Sequence, residues 1–458
     1  HNPTNVPVDV GGMYLTDNAD DSTRWQIPTG KPSLTRIAAG GFLVIWADDD
    51  VGDTGLHAGF RLSAAGDGLY LYAADGKTLI DHVEYGEQSP DVSYGRVPDG
   101  VGPWQFLGFP TPGSTNVSVY AGSVDDLRFS HERGFYDAPF ELRVTCDTPG
   151  VTIYYTFDGS EPGADTGHGR TGTVYTGPIF VLGTTCIRAC AIKEGWKSSR
   201  AATHTYIFLD NVVAQTRFPS GFPTTWGGTL ADYEMDPDIV NDPRYKDLMR
   251  SSLLSIPSMS LVTTKDDMFG AQRGIYANPN RRGELWERPA SVEWIYPDGR
   301  DSFQSDCGVR IQGGAFREWG LTKKKSFRLL FKSAYGASKL RYPLFGESAV
   351  DEFNTITLRA GANDGYAWSD ARYTEQYTRD EFGRELQRAT GHIAPHGMFV
   401  HLYVNGLYWG LYNPVERPDA SFSASYYGGD EDQWDAIHVD EVEDGDRNAW
   451  NQMVSLCR

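Results

Sequence analysis

Gly308–Gly314 reads GVRIQGG, Lys323–Arg328 reads KKKSFR, and His401–Asp419 reads HLYVNGLYWGLYNPVERPD; these three stretches decide how the last third of the chain is built. Apolar residues alternate with polar ones up to the glycines, and the lysines open a second apolar run, so both read as strands. Working outward, IPSMSLVTT from Ile256, GIYANP, PASVEWIYPDG and CGVRIQGG alternate strand and loop. Tyr373, Tyr377, Phe382 and Leu386 recur at helical spacing after the loop RAGANDG, and Gly391 is placed to end that helix. Asn405-Gly406 joins MFVHLYV to LYWGLYN as a two-residue hairpin turn.

At 458 residues the chain exceeds one ordinary core, and two to four domains are expected. With 51 Gly, 25 Pro and 13% aromatic residues, its first half has the short, turn-bounded apolar runs of β-sandwiches. A formal charge of −20 argues against a nucleic-acid partner, which needs a clustered basic face that releases counterions. Asp17–Asp21 and Asp48-Asp49-Asp50 read either as solvated loop acids or as a calcium site; neither run has EF-hand spacing. Cys146 could pair with Cys186 or Cys190 in an oxidising compartment, or all three could be small buried hydrophobes. No apolar run has the length of a membrane span. The chain begins at His1 inside a strand-turn-strand pattern and ends inside a helical one, so a piece of a longer protein is expected, with any signal peptide ahead of it.

Three regions precede the chemistry. Residues 1–116 place FLVIWAD, LYLYAAD and TLIDHVEYG between Gly and Asp turns, as in an immunoglobulin-like sandwich. The strings GGMYLTDNADDSTRWQIP, LSAAGDGLYLYAADG, VEYGEQSPDVSYGRVPDG and PTPGSTN resemble the lamin-tail domain of bacterial surface proteins. That resemblance implies attachment or spacing, with Trp25, Trp46 and Trp104 either covering the core or meeting a glycan. After a connector at 117–128, residues 129–208 carry TIYYTFDGSEP and YTGPI, which resemble the small sandwich at the C-terminus of chitobiase and β-hexosaminidase-like proteins. The resemblance implies a second sandwich without hydrolase chemistry, and Asp158 with Glu161 reads as turn geometry rather than a glycosidase pair. Residues 209–253, rich in Pro, Gly and Asp, read as a linker with a short helix near Asp242–Leu254.

Residues 254–458 follow the order of a protein-kinase N-terminal lobe, α+β and truncated: strands, glycines, a lysine-bearing strand, a helix, then a hairpin. GELWERPASVEW, VRIQGGAFRE, KKSFRLLF, KLRYPLFG, LRAGANDG, YTRDEFGRELQRATGH, APHGMFVHLYVNGLYWGLYNPVERPD and WDAIHVDEVEDGDRNAWN resemble, in order, the CotH kinase family. The resemblance implies phosphoryl transfer from ATP, with Mg or Mn, to a protein hydroxyl.

It places Lys324 or Lys325 on the phosphates, with Arg310 contributing. Strand alternation lets only one of the two lysines face the cleft, and a solvated strand face is the other reading of these cations. Arg379, Asp380 and Glu381 match a helix motif in which an acid would hold the lysine; a plain exposed helix face is the alternative. Glu416 sits where a kinase crosses between lobes, facing the nucleotide or pairing with Arg417. Phe316 stands where the family usually has serine. The family's catalytic and metal-binding Asp are expected beyond the tail helix, so this stretch alone is expected to be inactive and to leave an apolar lobe edge open. The acidic run Asp440, Glu441, Glu443, Asp444 and Asp446 reads as a solvated loop. Two functions follow: an extracellular or surface bacterial multi-module protein with a CotH-type kinase, or a non-catalytic surface protein whose sandwiches bind, through cell-surface or glycan contact. A glycoside hydrolase is a distant third.

Overall fold

Turn residues interrupt the chain so often that, among the described residues, strands run from two to ten residues and only one helix reaches eleven. The computed structural model describes residues 1–457 except 52–53, 89–91, 108–109, 117–121, 168, 301, 366–367, 369–375 and 439–440. It is β-rich, with many small sheets, and divides into two compact units: 1–124 with 193–198, and 125–192 with 199–458. No helix among the described residues is long and apolar enough to cross a membrane.

The first unit is built on a four-stranded antiparallel sheet in which Tyr14–Thr16 and Asp67–Tyr72 are central, flanked by Trp25–Gln26 and Leu79–Tyr85. Val10, Ile27 and Ile37 form its core, with Trp25 packed against them. Trp104 lies beneath the Arg96 guanidinium, 4.5 Å from ring centre to cation, a cation–π contact. Trp46 does not cover the core: it is 55% exposed. Of the loop acids, Asp17 pairs with Arg24 at 2.7 Å and Asp48 with His57 at 2.9 Å.

In the second unit a sandwich comes first. Thr185–Ile192 pairs with Ala202–Ile207 on one side and Thr152–Thr156 on the other. Leu142, Val144, Ile179, Val181, Ile187 and Ala189 fill its core. The central strand TCIRACAI is buried on both faces, because Cys186 and Arg188 point away from that core toward the following domain, while Cys190 is covered by the Pro162 loop. The cysteines are free, and Cys186, Cys190 and Cys307 serve as buried small side chains.

Seven strands then close a barrel: β1 (Ser258–Val262), β2 (Arg288–Ile295), β3 (Phe303–Gln312), β4 (Ser326–Leu330), β5 (Thr355–Arg359), β6 (Val400–Val404) and β7 (Leu407–Glu416). The order around the barrel is β1-β2-β3-β4-β5-β7-β6, and β6 returns to β1 in a parallel pair with Ser258 opposite His401. An open apolar sheet edge, expected from a truncated lobe, is therefore not what forms: closure removes the edge. Inward-facing Val309, Ile311, Phe327, Leu329, Ile356 and Leu358 belong to one core. The hairpin turn between β6 and β7 has Asn405 at φ 49° and Gly406 at φ 80°, the left-handed pair a tight two-residue turn demands.

The stretch 209–253 does not hang loose. Leu209, Val212 and Leu253 pack with Ile295 and Tyr403, and Trp226 and Tyr233 enter the barrel core, their side chains joined by a 2.8 Å hydrogen bond.

Sandwich and barrel meet over Glu293, which is 0% exposed. Its carboxylate accepts from the Thr205 backbone N–H at 2.9 Å and from the Thr205 hydroxyl, with Arg133 Nε 3.6 Å away. Burial raises the pKa of this carboxyl above the ordinary glutamate value, against the pull of Arg133. Nearby Asp306 is pushed up to about 6 by burial, with Arg188 at 3.1 Å opposing the shift.

Replacing Thr205 with Val deprives the buried Glu293 of a charged-group hydrogen bond, and should lower the unfolding free energy of the second unit by about 2 kcal/mol in urea titration. A folded-state value raised to about 6 means that Asp306 contributes stability below pH 4 that is lost as pH rises through 6. Asp306→Asn should accordingly gain on the wild type between pH 4 and 7, by roughly 2 kcal/mol, in melts recorded across that range.

Candidate functional site

Strand alternation turns Arg310 and Gln312 of β3, Ser326 and Arg328 of β4, and Thr357 and Arg359 of β5 to the outside of the barrel. Register sets Arg310 opposite Arg328, Arg328 opposite Thr357, and Thr357 opposite Val415 of β7. A row of polar side chains therefore crosses three strands, β3, β4 and β5, on one face.

Helix α1 (Arg379–Ala389) lies against the end of that face nearest Arg359. Its expected apolar stripe is not the side that packs: Phe382 is 65% exposed and Leu386 54% exposed, while Glu381 is buried. The physical reason is the surface beneath it, which offers Arg359 and Asn413 rather than an apolar ridge. Asp380 pairs with Arg359, and Arg384 bridges Asp380 and Glu381, meeting the latter at 2.6 Å. Asn413 Nδ2 donates to Glu381 at 3.1 Å. Arg379 pairs with Asp364 at 3.0 Å. Of the spacing that predicted the helix, Tyr373 lies outside the described residues, and Tyr377 packs beside Gly361. Helix acids do hold a strand cation, then, but it is Arg359 and not a lysine. Burial, and Arg384 beside it, push the Arg359 guanidinium below its usual range.

Between α1, the glycine turn and the end of β7 lies a cleft of about 420 Å³ bordered by Gly313, Gly314, Ser326, Arg359, Arg384 and Glu416. Gly313 has φ +118°, a conformation that L side chains rarely adopt, and a Cβ added at either glycine would meet nothing within 4 Å. The turn thus faces open space. Phe316 also borders the cleft and meets Trp368 edge-on at 5.8 Å.

The two lysines are placed differently from the strand reading, because β4 starts only at Ser326 and Lys323–Lys325 belong to the turn before it. Lys325 is buried, and its ammonium donates to the carbonyls of Thr322, Glu318 and Phe316 at 2.5, 2.9 and 3.3 Å. Lys324 borders the cleft, yet its ammonium donates to the Asp232 carbonyl at 2.9 Å and sits 4.2 Å from the Trp409 ring centre. Burial pushes each of these ammonium groups down to about 8. Arg310 reaches Glu287 at 3.4 Å on the far side of the glycine turn.

Glu416 is buried, and its carboxylate is fully engaged: it accepts from the His396 backbone N–H at 2.7 Å and the Tyr426 hydroxyl at 2.7 Å, with His396 Nδ1 at 2.9 Å. Arg417 turns instead to Glu443 and, at 3.9 Å, Asp419. The expected pairing of Glu416 with Arg417 is therefore not what forms, although Glu416 borders the cleft. Asp440 lies outside the described residues, and among the described residues no group of three His, Cys, Asp or Glu side chains could hold a metal ion.

The glycine turn, the polar strand row, α1 and the crossing at Glu416 all fall within one stretch of chain that matches a known family. Residues 309–453 match the CotH kinase protein family. The CotH match begins inside β3, so β1 and β2, which complete the barrel, precede it. Residues 131–204 match the chitobiase/beta-hexosaminidase C-terminal domain and coincide with the sandwich. No curated protein matches the chain. Arg359 and Arg384, which sequence reasoning passed over, lie inside quoted CotH-like strings, LRAGANDG and YTRDEFGRELQRATGH; counting strands from the glycines would have found the first.

Substituting Lys325 with Met removes the donor shared by three carbonyls. The unfolding free energy should fall by about 3 kcal/mol in urea titration, a structural loss that a phosphate-contact role alone would not produce.

Proposed function

We propose that the barrel and α1 form the nucleotide-holding lobe of a CotH-type kinase, an ATP-dependent phosphotransferase acting on protein hydroxyls within an extracellular multi-module protein. One observation carries this reading. In protein kinases a glycine-rich turn joins the first two strands, and the cation of the third strand pairs with a carboxylate on the next helix. Counting from β3, the glycines follow the first strand, Arg359 ends the third, and Asp380 of the following helix pairs with it.

The residues suit ATP in charge and room. Arg359 and Arg384 bring two guanidinium groups to a cleft whose glycine turn leaves space for phosphates, and arginine remains charged where a buried lysine would lose its proton. In this reading Arg359 would hold the phosphates, and Asp380 with Glu381 would fix its direction through Arg384. Bound ATP would supply the transferable γ-phosphoryl group. The Mg or Mn that the family implies finds no such ligand group among the described residues, and Glu416 has its oxygens engaged by His396 and Tyr426.

Calorimetric titration with ATP tests this. Binding should occur, fall at least about tenfold in Arg359→Ala, and weaken less in Asp380→Asn, which leaves the cation in place. Absence of binding by a folded wild-type chain would sink the kinase reading in favour of a non-catalytic scaffold.

A further inference from the structure

On the other side of the Gly313–Gly314 turn from Arg359 is a second cleft, about 460 Å³, bordered by Arg281, Arg282, Arg310, Arg317, Arg328 and Arg417. Six cations in one groove stand out on a chain with a formal charge of −20, and among the described residues the acids at its wall are Glu441 and Glu443. Their internal partners neutralise them only in part. Arg417 takes up Glu443. Arg310 is 3.4 Å from Glu287, a carboxylate shared with Lys332 at 3.0 Å. Arg328 is 3.9 Å from its nearest carboxylate, Asp419, and donates through Nε to the Thr355 hydroxyl. Arg282 is exposed and has no ion-pair partner among the described residues.

Arg317 has a separate job. Its guanidinium donates to the carbonyls of Ile311, Gly313, Pro279 and Arg281, fastening the glycine turn to the 279–281 loop and so fixing the groove's wall. Arg310 and Arg328 are direct neighbours across β3 and β4. Like charges held side by side oppose each other: burial together with Arg417 and Arg310 pushes Arg328 down to about 10. Such an arrangement costs free energy in the empty protein and is relieved by a bound anion.

We propose that this groove is a second anion site and that its ligand is a short condensed-phosphate chain. Guanidinium forks match phosphate oxygens in paired hydrogen bonds, and the volume is that of a small-molecule pocket. An extended acidic polypeptide is disfavoured, because beyond the groove it would run against the chain's negative field, whereas a compact polyanion meets only the arginines. The site goes beyond the kinase reading and does not require it. The two clefts share Gln312, Gly313, Gly314, Arg417 and His438, so the chain bound here is either free oligophosphate or the triphosphate of a nucleotide.

The test is calorimetric titration of the full chain with tripolyphosphate in metal-free buffer. Binding should weaken about tenfold or more in Arg310→Gln/Arg328→Gln. It should weaken about threefold in Arg282→Gln, an exposed substitution that leaves folding intact, and less in Arg359→Gln than in the double variant. No binding by the wild type, wild-type affinity in both groove variants, or a loss confined to Arg359→Gln would each overturn the proposal. Repeating the titration with a saturating non-hydrolysable ATP analogue separates the two sources: undiminished tripolyphosphate binding assigns the groove to free oligophosphate. Competition that disappears in Arg310→Gln/Arg328→Gln assigns it to the nucleotide's own phosphates. Failure of ATP to bind while tripolyphosphate binds would remove the kinase reading and leave this site standing.

Discussion

A carboxylate with no access to water must find its partners within the fold, and Glu293 finds them across a domain boundary. It belongs to β2 of the barrel, while Thr205 and Arg133, which satisfy it, belong to the sandwich. The requirement reaches the cleft directly, because β2 pairs along its length with β3, and β3 carries Arg310 and delivers the chain to Gly313. Asp306 at the start of β3 repeats the arrangement with Arg188. The small sandwich and the barrel therefore belong to one compact unit, and two polar links hold β2 and β3 in place behind the candidate site.

What was legible in the sequence was local. Asn405-Gly406 demanded a tight turn and makes one; Gly391, with φ +85°, lies just past the last residue of α1; and short runs between turn residues became strands. Barrel closure had no such local signature, since β1 and β6 are joined only through pairing between distant segments. The stretch 209–253 looked like a linker because Pro and Gly break it, although its few large apolar residues, Trp226 and Tyr233 among them, are buried in the core. In the candidate site the helix acids were identified and their partner was not. Three consecutive lysines drew attention to the turn before β4, where carbonyls and tryptophan rings engage two of the ammonium groups, while the single cation of LRAGANDG paired with Asp380 one strand later. Helical spacing placed Phe382 and Leu386 on a packed face, yet the sheet beneath α1 is polar and reverses the helix.

The electrostatic pattern is one of segregation. Acidic residues prevail over the chain as a whole, while guanidinium groups gather on both sides of one glycine turn. The use of arginine fits these surroundings: burial depresses Lys324 and Lys325 to about 8, whereas Arg328 and Arg317, depressed to about 10, keep their charge over a wider range of pH. Local cations on an acidic body favour small, compact anions over extended ones, a selectivity set by the range of the field rather than by any single contact.

The parallel pair between β1 and β6 also bears on how the molecule comes into being. During synthesis β1 emerges early and must wait, its backbone donors and acceptors on one side unmatched, until the whole stretch from β2 through α1 has left the ribosome and the β6–β7 hairpin has formed. Long-range pairing of this kind slows folding, because the loop entropy is lost before the contacts that offset it are made. Its sandwich neighbour, already complete by then, offers β2 a template through Thr205 and so shortens the interval in which a bare strand edge could meet another chain.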